Sequence, residues 1–308
     1  MQDQIKLFSP ATVANLACGF DVLGMALDSV GDEMIIKKSK NKGISISKIV
    51  GQDLPIEATK NVAGVAALEL YKELEVDYGF EIQIFKNIKP GSGIGSSAAS
   101  AAGAVWGMNE LLGKPFSPNE LVAFAMEGER LASGNAHADN VAPALFGGFT
   151  LVRSYKPLEV IKLACPEELY AVVIHPQIEL KTADSRKILK PTISLRDGVT
   201  HWGNVGGLVA GLYTNNYKLI GDCLKDVIAE PQRADLIPHY YELKHQVIKS
   251  GALGVGISGS GPSIFALTKG KKIAKGVAKT MQTVYQNIGV DFDIHISKVN
   301  QKGIYKID

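Results

Sequence analysis

The sequence predicts an α+β protein of two domains, and three observations carry that reading. Short alternating or β-branched runs, the mark of strands, are interleaved with longer runs whose apolar residues recur at helical spacing. At 308 residues, 46% hydrophobic and 21% charged, the chain has ordinary globular composition and the length for roughly two domains. No low-complexity linker or internal repeat interrupts it. The boundary is expected between two strand-rich halves, around residues 155–167, giving units of 1–160 and 161–308.

In chain order, residues 4–8, 33–38 and 44–50 alternate or are rich in β-branched side chains and predict strands. Asn61 to Glu75 predicts a helix with Val62, Val65, Ala66 and Leu70 on its apolar side. Residues 80–85, FEIQIF, alternate as a strand, and a helix is expected from Ser97 to Leu112. Ser117-Pro118-Asn119-Glu120 combines a capping box with proline at the first helical position, so a helix begins there and ends before Gly134. Strands follow at 149–153 and 169–175. Residues 203–249 are helical in pattern, with breaks near Pro231 and Pro238. Residues 251–258 and 263–268 predict two strands around a glycine-rich turn, before a helix at 271–288 and a strand at 292–299.

Composition excludes several classes. With 33 basic and 31 acidic residues the net charge is +2, and no basic block stands out, so nothing argues for nucleic acid. No run of about 18 apolar residues is present, which argues against a membrane span. The opening MQDQIKLFSP lacks the basic-then-apolar pattern of a signal peptide. Cys18, Cys165 and Cys223 are odd in number, far apart and outside any CxxC, so a reducing, cytoplasmic compartment is expected.

Three glycine-rich segments carry the chemistry. In Pro90 to Ala104, PGSGIGSSAASAAGA, glycines at alternate positions precede two serines and an alanine-rich helix. Glycine lets a backbone turn sharply and approach a ligand, and a helix N-terminus offers unpaired N–H groups that suit phosphate. This is not a Walker A sequence, because no Gly-Lys-Ser/Thr follows. Gly93 to Ala98 does fit the loose G-x-G-x-x-A dinucleotide form. The acidic residue which that form wants about 20 residues on is missing; helix and then Lys114-Pro115-Phe116 stand there. A ligand-free turn is the third reading, against which Ser96 and Ser97 weigh, since hydroxyls at a helix mouth bind phosphate oxygens or Mg²⁺. In Ser9 to Gly24, SPATVANLACGFDVLG, Asn15 and Asp21 bracket a short loop where turn formation alone would account for them. Gly256 to Ser263, GISGSGPS, read alone is a bulged hairpin.

Together these segments resemble the three signatures of the GHMP kinases, in that family's order and spacing and across nearly the whole chain. Thr12 where Ser is usual and Ile94 where Leu is usual are mild departures. The resemblance implies an N-terminal mixed-sheet nucleotide domain, a C-terminal ferredoxin-like α/β sandwich and a homodimer. It implies ATP held on the central loop by Pro90, Gly91, Ser92, Gly93, Ile94, Gly95, Ser96, Ser97, Ala98, Ala99 and Ser100, with Asn61 near the adenosine. The implied Mg²⁺ ligands are Ser97 and Glu129. Helical geometry supports the second: Glu129 neighbours Ala125 and Ala132, a small inward-looking side, whereas Glu127 lies about 200° round and reads as a solvated charge.

The opening signature and His137 to Pro143 are most similar to family members that phosphorylate the hydroxyl of L-homoserine in threonine biosynthesis. A zwitterionic acceptor needs a cation for its carboxylate and an anion for its ammonium. Arg186 and Arg233 resemble the carboxylate partners, a task that suits the guanidinium fork, although a surface position is the usual fate of an arginine. Asn15 and Asp21 are the natural ammonium partners, and His137, Thr182 and Gly259 are further substrate-side residues. For the chemical step, Asn140 and Arg186 would orient the hydroxyl and stabilise charge on the γ-phosphoryl, with Asp139 as general base the lesser alternative. The rivals are a kinase for another alcohol such as mevalonate, a catalytically silent nucleotide-binding regulator, and a dehydrogenase.

Overall fold

The long second strand organises the N-terminal half, because its two ends pair with different neighbours. The computed structural model describes residues 3–178, 180 and 182–308, and the side chains of all of these except 182–184. The first part of the chain forms β1 (Gln4–Ala14), β2 (Leu23–Ser39), β3 (Ile44–Val50), α1 (Val62–Lys72), β4 (Gly79–Phe85), α2 (Ser96–Leu111), α3 (Pro118–Ser133), α4 (Val141–Phe146), β5 (Phe149–Tyr155) and β6 (Leu158–Leu163). The remainder forms β7 (Leu169–Pro176), α5 (Thr182–Lys187), α6 (Leu195–Tyr213), α7 (Tyr217–Cys223), α8 (Glu230–Arg233), α9 (Tyr240–Lys249), β8 (Gly254–Ile257), β9 (Ile264–Lys269), α10 (Lys271–Asn287), β10 (Phe292–Lys298) and β11 (Tyr305–Lys306).

The first sheet runs β11-β1-β2-β4-β3, with β5 and β6 joined to the start of β2. Leu23 to Met25 of β2 pair with β5, and Glu33 to Ser39 pair with β4. Only β3 and β4 run parallel, so the sheet is mixed. The second sheet, β10-β7-β9-β8, is antiparallel throughout. Both agree with the mixed sheet and the α/β sandwich implied by the sequence.

Packing follows from side-chain size. Helix α2 is built from alanine, serine and glycine, which lets it lie close on the first sheet against Leu7, Met34 and Ile36. Its neighbour α3 begins as expected, with the reciprocal capping box between Ser117 and Glu120. The core between these helices and the sheet continues into a second cluster in which Val13, Leu23 and Phe149 meet Val173, Phe265 and Leu267 of the second sheet. A third cluster seats α9 and α10 on the second sheet through Tyr240, Leu243, Val277 and Met281. Hydrophobic contact is thus continuous between the sheets, and β11 returns the C-terminal chain to β1 through Tyr305 opposite Phe8.

Some elements go beyond the sequence reading. Strand β6 falls within the 155–167 stretch, β11 has two residues, and α4 and α5 are single short turns. Strand β11, α4 and α5 are too short for periodicity to register. Strand β1 continues through Pro10 to Ala14 after a register shift between Pro10 and Thr12, which accommodates the proline. Among the described residues, no helix is long and apolar enough to cross a membrane.

Helices α1 and α3 touch through backbone. A Cβ on Gly128 would lie 2.5 Å from the Val62 carbonyl oxygen and 2.9 Å from Ala101 Cβ. Gly128→Ala is therefore expected to destabilise the protein by about 1–3 kcal/mol, outweighing the roughly 1 kcal/mol that alanine adds in helix propensity. The check is the urea midpoint, which should fall; an unchanged or raised midpoint would mean that the helices have room to part.

Candidate active site

Loop 90–95 connects β4 to α2 and opens into a cavity of about 490 Å³. Its three glycines, Gly91, Gly93 and Gly95, all have φ between 70° and 81°. Gly95 is the tightest. It caps α2 in the left-handed region, where a Cβ would sit 2.0 Å from Thr12 Oγ1 and 3.1 Å from Asn140 Oδ1. The same Thr12 hydroxyl donates to Asn140 Oδ1 at 2.8 Å, so this glycine lets the first signature, the central loop and the α4 entry meet at one point. Pro90, Gly91, Gly93, Gly95, Ser96, Ser97 and Ser100 line the cavity. Ser92, Ile94, Ala98 and Ala99 are buried and do not line it. Asn61 does not line it either. Its side chain caps α1 by accepting from Ala63 N at 3.0 Å and donates to Pro55 O at 2.8 Å, which brings Val62 rather than Asn61 to the cavity wall.

Opposite the loop stands Glu129 of α3, 7% exposed and facing the cavity, while Glu127 is paired with Arg130 on the exposed side. Glu129 Oε1 is buried without a hydrogen-bond partner. Burial pushes its carboxyl up to about 7, opposed by the Ser97 hydroxyl and the Lys86 ammonium. An orphaned carboxylate oxygen beside a serine hydroxyl is a hard-oxygen donor set that fits Mg²⁺. Among the described residues no cluster of three or more His, Cys, Asp or Glu is arranged to hold a metal. That agrees with an ion that takes few protein ligands and completes its shell with water and phosphate.

The other end of the cavity is charged. The loop after β1 is wound left-handed at Asn15, Leu16 and Ala17, with φ of 69°, 45° and 60°, and again at Asp21. Left-handed Leu and Ala are strained; their burial and the bonds Asn15 N to Leu23 O at 2.8 Å and Gly19 N to Asn15 O at 2.7 Å hold them there. The Asn15 side chain donates to Gly259 O at 2.8 Å and accepts from Asp21 N at 3.0 Å. Asp21 is thereby aimed at Arg186, whose Nη1 and Nη2 lie 3.3 and 2.5 Å from its two oxygens. His137 Nδ1 is 3.7 Å from Asp21, and burial holds its imidazole below the usual range, towards the neutral form. Arg233 of α8 is 4% exposed. It donates to Ser185 O at 3.0 Å and Gly259 O at 3.1 Å, and no carboxylate among the described residues lies within ion-pairing distance. The side chain of Thr182 lies outside the described residues.

Asp139 and Asn140 sit between the two ends. Burial, reinforced by the negative charges of Asp21 and Glu129, pushes the Asp139 carboxyl up to about 8. That shift favours the neutral form of the carboxyl. The Asn140 carbonyl oxygen is taken by Thr12, which leaves its Nδ2 as the free donor.

Several residues that sequence reading passes over shape this site. Lys86, at the end of β4, donates to Asp32 of β2, to Ser96 O at 2.8 Å and to Ser100 Oγ at 3.1 Å. Asp32 also accepts from Asn87 N at 2.9 Å and Ile88 N at 3.0 Å, and so fixes the entry to the glycine loop. The 54-residue separation of Lys86 and Asp32 hides the pair until the β2–β4 register is known. Glu230, buried on α8, accepts from Tyr240 Oη at 2.6 Å and Lys244 Nζ at 2.5 Å and anchors the helix that carries Arg233. Phe20, beside Asp21, lines the cavity; its place in the Gly-Phe-Asp signature was the available signal.

A sheet pair with a glycine loop at a helix mouth, facing a buried carboxylate, defines a phosphotransferase of the GHMP type. Residues 61–148 match the GHMP kinases N terminal domain and residues 208–287 the GHMP kinases C terminal domain. The chain belongs to the GHMP kinase family. Within it the full-length similarity is to homoserine kinases: 46% identity to that of Chloroherpeton thalassium, covering 97% of this chain and 98% of the relative. The homoserine kinase of Chlorobium phaeobacteroides strain BS1 is 45% identical over 96% of this chain and 97% of its own length. The crystal structure of homoserine kinase from Cytophaga hutchinsonii superposes with a TM-score of 0.95 at 49% identity, covering 100% of this chain and 98% of that one. A mevalonate kinase of L. major in complex with R-mevalonate, at 17% identity and a TM-score of 0.72, shares the fold.

The raised Asp139 value has a consequence for stability. The folded state holds a proton that the unfolded chain, with a carboxyl near 4, releases. The contribution to stability is complete below the unfolded value and is lost as pH rises through about 8. Asp139→Asn, neutral throughout, is expected to gain stability relative to the parent chain as pH rises. Calorimetric Tm values measured from about pH 5 to pH 9 would test this; a gap independent of pH would mean that Asp139 is ionised across the range.

Proposed function

We propose that this chain transfers the γ-phosphoryl group of ATP to the side-chain hydroxyl of L-homoserine, yielding O-phospho-L-homoserine and ADP, a step of threonine biosynthesis. The observation that carries the choice of acceptor is the charged end of the cavity. It holds a buried guanidinium with no carboxylate partner among the described residues, Arg233, next to an Asp21–Arg186 pair. An α-amino acid presents one charge of each sign to that end and its hydroxyl to the other. Mevalonate has no ammonium to offer Asp21.

In this reading the N–H groups of the glycine loop and the first turn of α2 receive the ATP phosphates. Ser97 and Glu129 hold Mg²⁺, which when bound neutralises phosphate charge. The substrate carboxylate docks on Arg233 and the ammonium on Asp21. Each swap leaves the site's charges balanced, since Asp21 exchanges part of its contact with Arg186 for the ammonium. Arg186 is then available to the γ-phosphoryl, and Asn140 Nδ2 to the attacking hydroxyl. In the transfer, the hydroxyl oxygen forms a bond to γ-phosphorus as the bond to the ADP oxygen breaks. The transition state is loose, so the hydroxyl proton becomes acidic only late, and positioning outweighs a strong base.

The test is ADP release with homoserine, mevalonate, galactose and shikimate as acceptors. Homoserine-dependent release is expected, with the others near the rate of ATP alone; release driven by mevalonate would overturn the reading. Asp21→Ala should cut kcat/KM for homoserine by about 10- to 100-fold, the worth of a charge-assisted contact, and should affect 4-hydroxybutyrate, which lacks the amine, much less. Equal losses on both would make Asp21 a turn former.

Glu129→Gln exchanges a charged oxygen ligand for a neutral amide of the same shape. It is expected to lower kcat by about 100-fold or more while the thermal transition is retained. Near-normal turnover at saturating Mg²⁺ would remove Glu129 from the metal site.

A further inference from the structure

Arg186 and Arg233 bring two guanidiniums to one end of the cavity, where like charges repel in a poorly hydrated setting. Asp21 answers Arg186, but among the described residues Arg233 hydrogen-bonds to the neutral carbonyls of Ser185 and Gly259 and to no carboxylate. The side chain between them is Phe20. Its ring centroid is 5.5 Å from Arg186 Cζ and 5.4 Å from Arg233 Cζ, nearly equidistant. An aromatic face carries partial negative charge and attracts a cation held over it. Phe20 belongs to none of the three hydrophobic clusters among the described residues, and its ring lines the cavity. It therefore does little for the core. The backbone on both sides is pinned: Gly19 N donates to Asn15 O at 2.7 Å, and Asp21 N to Asn15 Oδ1 at 3.0 Å. The backbone position from which the ring projects is therefore fixed.

We propose that Phe20 is a positioning residue for carboxylate recognition: its ring spaces and partly neutralises Arg186 and Arg233, so that the Arg233 fork stays aimed at the substrate carboxylate while Arg186 keeps its place beside Asp21. The proposal rests on the reading that the acceptor is an amino acid such as homoserine, and it adds a determinant of acceptor selectivity that carries no charge. A bulky aliphatic side chain would fill the same space but would leave the guanidiniums to repel, and they would splay before a ligand arrived.

The test compares Phe20→Leu, Phe20→Tyr and a chain with 3,4,5-trifluorophenylalanine at position 20, which keeps the ring's shape and removes most of its negative face. Steady-state kinetics use homoserine and homoserine amide, the same molecule with an uncharged carboxyl end. Phe20→Leu is expected to raise KM for homoserine about 10-fold, as for the loss of two partly buried cation–π contacts. Its kcat and its KM for ATP should change less than about two-fold, within the scatter of a neutral change. The trifluoro ring should follow Leu in direction, Tyr should behave as the parent chain, and the amide should be nearly indifferent to all three. Equal losses on homoserine and its amide, a trifluoro ring that behaves as the parent, or a Tyr variant as poor as Leu would each overturn the proposal. If Phe20→Leu does not fold, the trifluoro ring decides alone. A parent chain without homoserine-dependent turnover would instead refute the acceptor assignment on which the proposal rests.

Discussion

Two serine hydroxyls hold the glycine loop in place, and the cavity depends on them. Ser258 Oγ donates to Gly93 O at 2.7 Å and Ser263 Oγ to Ser92 O at 2.6 Å, across 165 and 171 residues of chain. A loop of alternating glycines with φ > 0 has little stiffness of its own. Its conformation is imposed from outside, by the turn after β8 on one side and by Thr12 N, which donates to Ile94 O at 3.1 Å, on the other. The third glycine-rich segment is thus a clamp on the second. Gly93 is needed because the two loops touch through backbone: a Cβ there would lie 2.5 Å from Gly261 O. The candidate phosphate loop is consequently held by segments from both halves of the chain.

The same economy governs charge. The protein buries Glu129, Asp139, Lys86, Asp32 and Arg233 around one cavity, and most of them are answered. Lys86 is held by Asp32, and Asp139 takes a proton in place of a counter-ion. Among the described residues, Glu129, with one orphaned oxygen, and Arg233, without a carboxylate, are left incompletely satisfied. Unsatisfied buried groups are costly, and these two stand at opposite ends of the space that a nucleotide–metal complex and an amino acid would fill. The binding free energy is stored as polar groups that folding leaves without partners. The strained turn at 15–17 follows the same logic, since it spends backbone comfort to deliver Asp21 and Phe20.

The sequence by itself determined the strands and helices with clear periodicity, the cap of α3, the inward face that carries Glu129, and the family through three local signatures. These are local properties: side-chain period, turn chemistry and capping act over a few residues, so they can be read in one dimension. It also placed most of the site, because Asn15, Asp21, Ser97, Glu129, His137, Asp139, Asn140, Arg186 and Arg233 do line one cavity. The tertiary structure alone decided how those residues answer one another. Asp21 is paired with Arg186 while Arg233 reaches the carbonyls of Ser185 and Gly259, Asn61 is spent on a helix cap, and Lys86 is joined to Asp32. It alone decided that the SGSGPS turn is a clamp, that β2 serves three partners, and that burial and neighbouring negative charge push the Asp139 carboxyl upwards. Each of these depends on pairs separated by tens to hundreds of residues, and on burial, which sets the strength of every electrostatic term. Neither is written in the local pattern of the chain, because both arise only when the two sheets close over the same core.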